Sequence, residues 1–338
     1  MLLPQVQQSW PGKQGFDSFL TRKFGSRDLV YEIGKPESSD GGVSIVVPLT
    51  LDFETSGDRV TGTPLVLKRV QNSLLVADAG PLGARAPVIG SPLPLRPELD
   101  VPVLVYHRLA SEFPDDPNKA KDTVTSSAFA EQLAWLVGNG YTTITVAELF
   151  NAFYYDVLLP PKPVILIFDD GYVDVYEHAF PLLKERGFGA TIAAISGFVG
   201  QPEYLNWEQI KEMSAAGFEV VSHTATHANL AAMSPEGARR ELADSRGLLE
   251  KNLQRPAQFF VYPYGEPFVN GSEEARQMIM GLLRETGYVG ALTTSSGPPY
   301  ISVQRAAAPY QLNRIPVSGG ETVERFAATI NANPSPAP

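Results

Sequence analysis

The chain has no cysteine in its 338 residues. That excludes a disulfide scaffold, a thiolate metal site and a cysteine nucleophile. It leaves the compartment open. Basic runs are missing as well. The formal charge is −10, and without a basic stripe no nucleic-acid partner is expected. An acidic surface by itself indicates little beyond solubility. No stretch approaches the roughly 20 apolar residues of a membrane span. The opening Met1-Leu2-Leu3-Pro4-Gln5 lacks the basic and apolar regions of a signal peptide. There is no Gly-rich phosphate loop and no internal repeat. Histidine is scarce, with four in the whole chain, so the position of each one carries information.

What is present begins with Phe168-Asp169-Asp170-Gly171, which ends the apolar run Val164-Ile165-Leu166-Ile167. Two adjacent carboxylates at the end of an apolar strand are costly unless something pairs with them. Ser222-His223-Thr224-Ala225-Thr226-His227 places two of the histidines four residues apart. One Asp and two His supply three ligands for a divalent metal and leave a fourth position open. The other Asp is then free to act as a base. Each signal alone is weak. A His-x-x-x-His pair is usually the polar face of a helix, and Asp-Asp is often a turn or a cap.

The chain divides by composition. In residues 1–90, Val43, Ile45, Val47, Leu49, Leu51 and Phe53 alternate as in a half-buried strand. Leu65-Val66-Leu67 and Leu74-Leu75-Val76 predict further short strands of an antiparallel sheet, and a helix is expected around 16–23. This small β-rich or α+β domain resembles the second half of a nuclear-transport-factor-2-like domain. A generic β-rich accessory or carbohydrate-binding module is the alternative. Prolines 87, 92, 94, 97 and 102 predict a stiff linker, taken as 91–100. Residues 331–338, rich in proline, read as a flexible tail.

From 101 to 330 strand-like and helix-like segments alternate. Strands are expected at 103–105, 142–146, 164–168, 190–195, 218–221, 259–262 and 288–292, with helices between them. One helix runs through Phe129, Leu133, Leu136 and Val137, and another through Val175, Ala179, Leu182 and Leu183 up to Gly187. Ser234-Pro235 opens a long one as cap and first residue. Repeated β-α units imply an α/β fold with a parallel sheet, here a distorted barrel that need not close fully. In such barrels the functional groups sit at the C-terminal ends of strands. Asp169, Asp170, His223, His107 and the run Tyr262-Pro263-Tyr264-Gly265 all follow predicted strands, so they are expected to meet on one face.

Together the Asp-Asp, His-x-x-x-His and Tyr-Pro-Tyr-Gly segments resemble the first three motifs of the polysaccharide deacetylases (carbohydrate esterase family 4). The resemblance covers about residues 101–330. It implies that Asp169 is the general base and that Asp170, His223 and His227 hold one divalent metal. Zinc suits this set best, while cobalt, nickel or iron would fit the same ligands. It also implies that the backbone N–H of Tyr264 stabilises the oxyanion. Most members supply the general acid from a late Leu-x-His motif, but no histidine follows His227. The subgroup acting on biofilm poly-N-acetylglucosamine instead has an early Tyr-His-Arg segment, which Tyr106-His107-Arg108 resembles. His107 is therefore the implied acid. Val261 stands where most members carry an Arg that orients the base. Arg314 is a candidate for orienting the base or binding substrate, with a rim salt bridge as the alternative. Tyr172 is a candidate for the border of the substrate groove. Trp207 could stack on a sugar or pack its own helix.

The expected activity is metal-dependent removal of acetyl groups from an N-acetylglucosamine polysaccharide. Poly-β-1,6-N-acetylglucosamine stands ahead of peptidoglycan and of O-acetylated xylan. A carbohydrate-binding protein with a degenerate site is the alternative of another class. A glycosidase is disfavoured, because it needs carboxylates roughly 5–10 Å apart across a sugar. Such polymers lie outside the membrane. An extracytoplasmic protein is expected, with an export signal, or a membrane or cell-wall anchor, that this sequence does not contain.

Overall fold

The computed structural model describes residues 96–154, 158–294 and 300–331, together with the backbone of five strands between Leu29 and Asp78. The helix expected at 16–23, the proline-rich stretch up to 95 and the tail from 332 lie outside the described residues. The chain forms two compact units, 1–95 and 96–338.

In the first unit, β1 (Leu29–Ile33), β2 (Glu37–Ser39), β3 (Ser44–Phe53), β4 (Asp58–Val70) and β5 (Ser73–Asp78) make one antiparallel sheet. The alternating residues from Ile45 to Phe53 all lie on β3. The short strand expected at Leu65–Leu67 is the end of a longer one, β4, paired with β3 from Asp58 to Lys68. Gly62 and Pro64 hide it in the sequence, because both residues are rare within strands.

The second unit is built on a parallel sheet. Its strands are β7 (Val103–Tyr106), β10 (Thr142–Thr143), β11 (Pro163–Phe168), β12 (Thr191–Ala194), β13 (Glu219–Ser222), β14 (Phe259–Val261), β15 (Gly290–Leu292) and β17 (Ile315–Pro316). They run in the order β15-β14-β13-β12-β11-β7-β17, with β10 beside the first residues of β11. Smaller pairs are β6 (Glu98–Asp100) with β16 (Val303–Arg305), and β8 (Arg108–Ala110) with β9 (Thr123–Thr125). The last residues of the proline-rich stretch are thus paired strand. The strand expected at 142–146 is confined to Thr142–Thr143, since Val146 already begins a helix.

The sheet buries both faces, which explains why β11 is an unbroken apolar run. Leu104, Tyr106, Leu166, Phe168 and Ile192 pack beneath the outer helices. Val103, Ile165, Ile167, Ala193, Val221 and Val261 share the inner side with Phe150 and Phe153. The helices are α1 (Pro117–Asp122), α2 (Ser126–Gly138), α3 (Val146–Tyr154), α4 (Phe180–Glu185), α5 (Trp207–Ala215), α6 (Pro235–Leu253), α7 (Glu273–Glu285) and α8 (Val323–Asn331). On α2 the buried face is Phe129, Leu133 and Leu136, whereas Val137 turns to solvent. The helix expected through Val175 begins as a π-helical turn, Val175–Ala179, and continues as α4. Ser234 caps α6 by accepting from the Gly237 N–H, as its sequence predicts.

The barrel is incomplete, a curled half-barrel whose edge strands do not pair directly. A single segment joins the two edges. Leu312 exchanges hydrogen bonds with Ala291 and Thr293 beside β15, at 3.0 and 2.9 Å. A few residues later Ile315–Pro316 pairs with Leu104–Val105 of β7. Arg314 lies in the middle of this seam. Among the described residues, no helix is long and apolar enough to cross a membrane.

Candidate active site

The chain leaves β11 through a sharp turn. The Asp169 N–H still bonds the Tyr106 carbonyl at 2.9 Å, as a continuation of the sheet. Asp170 (φ 69°) and Gly171 (φ 77°) then both take left-handed conformations. Asp is among the residues that tolerate this region best. The turn sends the two adjacent carboxylates to different partners.

Asp170 faces both histidines of the second motif. Its Oδ1 lies 3.2 Å from His227 Nε2 and 3.5 Å from His223 Nε2. This buried oxygen has no hydrogen-bond partner among the described residues. His223 Nδ1 sits 2.8 Å from the Val261 carbonyl. A carbonyl only accepts, so Nδ1 carries the proton and the Nε2 lone pair points toward Asp170. Burial, followed by the neighbouring His223, lowers the His227 pKa and favours its neutral form. Burial works against ionisation of Asp170, but positive charge on the facing imidazoles, when they take up a second proton, outweighs it and holds the carboxyl well below the usual range. A cation in the place of those protons would act in the same sense. An ionised oxygen and two neutral ring nitrogens, all within 4.8 Å of one another, form a donor set that fits a divalent cation. The histidines do not share a helix face. His223 directly follows β13, and a loop with Thr224 at φ 65° and His227 at φ 61° brings the second ring back to it.

Asp169 is held separately. Nη1 of Arg314 lies 2.8 Å from each of its oxygens, and Nε of Arg314 donates to the Thr293 carbonyl at 3.0 Å. Both side chains are buried. Burial raises the Asp169 pKa, but the Arg314 charge overrides it and the carboxyl titrates below its ordinary value. Arg314 is thus a buried partner of Asp169 and not a rim salt bridge. His107 Nε2 stands 3.9 Å from Asp169 Oδ2, on a ring that is about one-third exposed. Three motif positions and one residue from the barrel seam therefore surround a single carboxylate pair.

Tyr264 follows β14 at φ 60°, with Gly265 at φ 70°. Any Cβ on Gly265 would press into Thr294 and Val269. The Tyr264 side chain is 61% exposed, and its ring stands edge-on to His227 at 4.7 Å. Tyr172 lies beyond Asp170, stacked on Tyr204 at 5.2 Å and covered by the Arg108 guanidinium at 3.6 Å. Trp207 is the first residue of α5 and packs, half-buried, against the main core.

Sequence reading missed several residues here. Arg108 also pairs with Glu203 at 2.9 Å and Asp174 at 3.5 Å. Asp174 accepts from the Leu109 N–H at 3.1 Å, and its carboxyl is pushed up to about 6, mainly by burial. These contacts join the loops after β7, β11 and β12. Glu241 of α6 accepts three hydrogen bonds from the loop between the histidines. On a helix it reads as an ordinary polar-face residue, and nothing in its neighbours in sequence announces the contact.

An α/β half-barrel with an Asp-His-His cation set at its strand ends is the frame of a metal-dependent hydrolase. A polysaccharide deacetylase family model matches residues 157–281. The YxkH protein of Bacillus subtilis, named for polysaccharide deacetylase, is 32% identical over 232 residues, which are 69% of this chain and 76% of that protein. The poly-beta-1,6-N-acetyl-D-glucosamine N-deacetylase of Escherichia coli is 26% identical over 62% of this chain; the match spans 35% of that protein's length. The solved structure of the Streptococcus pyogenes deacetylase PplD superposes with a TM-score of 0.61 at 28% identity, covering 69% of this chain and 99% of that one. The chain belongs to the polysaccharide deacetylase family, whose members are deacetylase hydrolases.

Proposed function

We propose that the protein removes N-acetyl groups from an N-acetylglucosamine polysaccharide, with poly-β-1,6-N-acetylglucosamine as its polymer. The observation that carries this reading is the division of the Asp pair. Asp170 faces two imidazoles, while Asp169 is bound to Arg314 and lies near His107. The likeness to the Escherichia coli N-deacetylase supports the choice of polymer.

Asp170, His223 and His227 would hold one divalent cation, zinc by the character of its donors. When bound, the cation would polarise the acetamide carbonyl and make water more acidic. Asp169, kept ionised by Arg314, accepts the proton of the attacking water. The backbone N–H of Tyr264 donates to the oxygen that becomes negative in the tetrahedral state. His107 then gives a proton to the departing sugar amine. Its partial exposure suits a group that must be reprotonated from solvent at each turnover. Tyr172 and Trp207 are proposed to border the bound glycan.

Residues 101–330 are proposed as the catalytic domain and the β-rich unit before them as an accessory domain. An extracytoplasmic site of action, with or without an anchor, follows from the polymer proposed. Acetate release from an acetylated β-1,6-linked glucosamine oligomer tests the reading. Release should vanish with a chelator and return with zinc. Release only from peptidoglycan strands or acetylated xylan would reassign the polymer. No release from any of the three by zinc-loaded protein would reject the activity.

A further inference from the structure

The two histidines of the cation set are held very differently. His223 is fixed twice. Its N–H bonds the Ala194 carbonyl at 3.0 Å within the sheet, and its ring bonds the Val261 carbonyl. His227 has neither support. It sits outside any strand, and its ring is placed by a short loop with left-handed residues at Thr224 and His227. Such conformations are unfavourable for residues other than Gly and persist only where surrounding contacts over-determine them.

The Ser196 and Gly197 N–H groups bond the Thr224 and Ala225 carbonyls at 3.2 and 2.9 Å, and the Ala228 N–H bonds the Thr224 hydroxyl at 3.2 Å. Glu241 supplies three further contacts to the loop. One oxygen of its carboxylate accepts from the Ala225 N–H at 3.0 Å and the Thr226 N–H at 2.9 Å. The other accepts from the Thr226 hydroxyl at 2.9 Å. Hydrogen bonds to an ionised acceptor are roughly twice as strong as neutral ones. Glu241 also belongs to α6, a long helix whose Ser245 bonds Ser222 at the end of β13, at 2.7 Å. The helix is therefore tied both to the strand that presents His223 and to the loop that presents His227.

We infer that Glu241 is a positioning residue for the cation site, acting through His227 by fixing the loop between the two histidines. This rests on the metal-binding part of the function proposed above and not on the choice of polymer. Outer partners of metal ligands typically change affinity 10- to 100-fold, and a drop of that order is expected here.

The test is zinc titration of the metal-free full chain, followed by calorimetry with no substrate present. Glu241→Ala should weaken zinc binding about 10- to 100-fold. Glu241→Gln should keep most of the affinity. Its carbonyl oxygen can still accept both amides, and its NH₂ can donate to the Thr226 hydroxyl oxygen. In a His227→Ala background, Glu241→Ala should cost nothing further, because the residue acts through that ring. An unchanged affinity in Glu241→Ala overturns the inference. So does an equal loss with and without His227, which would mark general damage to the fold. A wild type with no affinity for zinc would overturn the metal reading along with it. Zinc bound normally by a protein that deacetylates nothing would reject the proposed activity alone.

Discussion

Both ends of the parallel sheet shield carboxylates from water, Glu219 partly and Asp170 almost fully, and the two ends treat them in opposite ways. At the N-terminal end, Glu219 opens β13 and accepts from the Val146 and Ala147 N–H groups at 2.8 and 3.1 Å and from the Thr191 hydroxyl at 3.2 Å. It caps α3 from a distance, a common use of a carboxylate at a helix start. Burial still dominates and pushes its pKa up to about 7. At the C-terminal end, Asp170 has a buried oxygen with no hydrogen-bond partner, set against two ring nitrogens, and positive charge gathered between them drives its pKa down. A carboxylate surrounded by backbone donors is structural. One that is surrounded by lone pairs is arranged for a cation. Burial alone does not separate the two cases; the identity of the facing atoms does.

The contrast can be attacked from either end. At the upper end, His107→Ala should lower acetate release about 100-fold or more, the lower range for loss of a general acid. Zinc affinity should be nearly unchanged. Turnover equal to wild type would remove His107 from the mechanism. Arg314→Met should leave Asp169 buried without its partner, at a cost of about 3–5 kcal/mol in unfolding free energy. Arg314 holds the Asp169 pKa down, so its loss should also move the acid limb of the kcat/KM profile to higher pH. Denaturant unfolding and a pH–rate series check the two parts separately.

The smallest effect is expected below. Glu219→Gln should leave turnover intact and change only how stability depends on pH. Its folded pKa of about 7 lies above the ordinary value of 4.5. The fold therefore favours the neutral carboxyl. That contribution is complete below about pH 4.5 and is lost as pH rises through about 7. Wild-type Tm should fall between these limits by a few degrees more, roughly 5 °C, than that of Glu219→Gln. Parallel Tm curves for the two proteins would show that burial does not govern this group.

Strands that are continuous apolar runs, such as β11, were legible because burial on both faces leaves no room for polar residues. The meeting of Asp170, His223 and His227 was legible for the same reason: parallel strands bring their C-terminal ends to one rim. The seam was not. Ile315–Pro316 is two residues long and ends in a residue that cannot donate to a ladder. Consequently Arg314 could be suspected only from the missing Arg at Val261. The left-handed residues Thr224 and His227 left no trace either, because no glycine marks them, whereas those at Asp170 and Tyr264 are followed by Gly171 and Gly265. Glu219 and Glu241 reach partners far away in sequence, so their roles depend on packing that no local pattern encodes. The helix at 16–23 and the proline-rich stretch before 96 lie outside the described residues and add nothing to this comparison.

The central claim is that adjacent aspartates divide one site, Asp170 holding the cation and Asp169 serving as base. Zinc titration of Asp169→Asn and Asp170→Asn, read beside acetate release, tests it most directly. Both variants should lose turnover. Asp169→Asn should still bind one zinc with near wild-type affinity, whereas Asp170→Asn should bind it at least about 100-fold more weakly. Equal zinc affinities in the two variants would contradict the division.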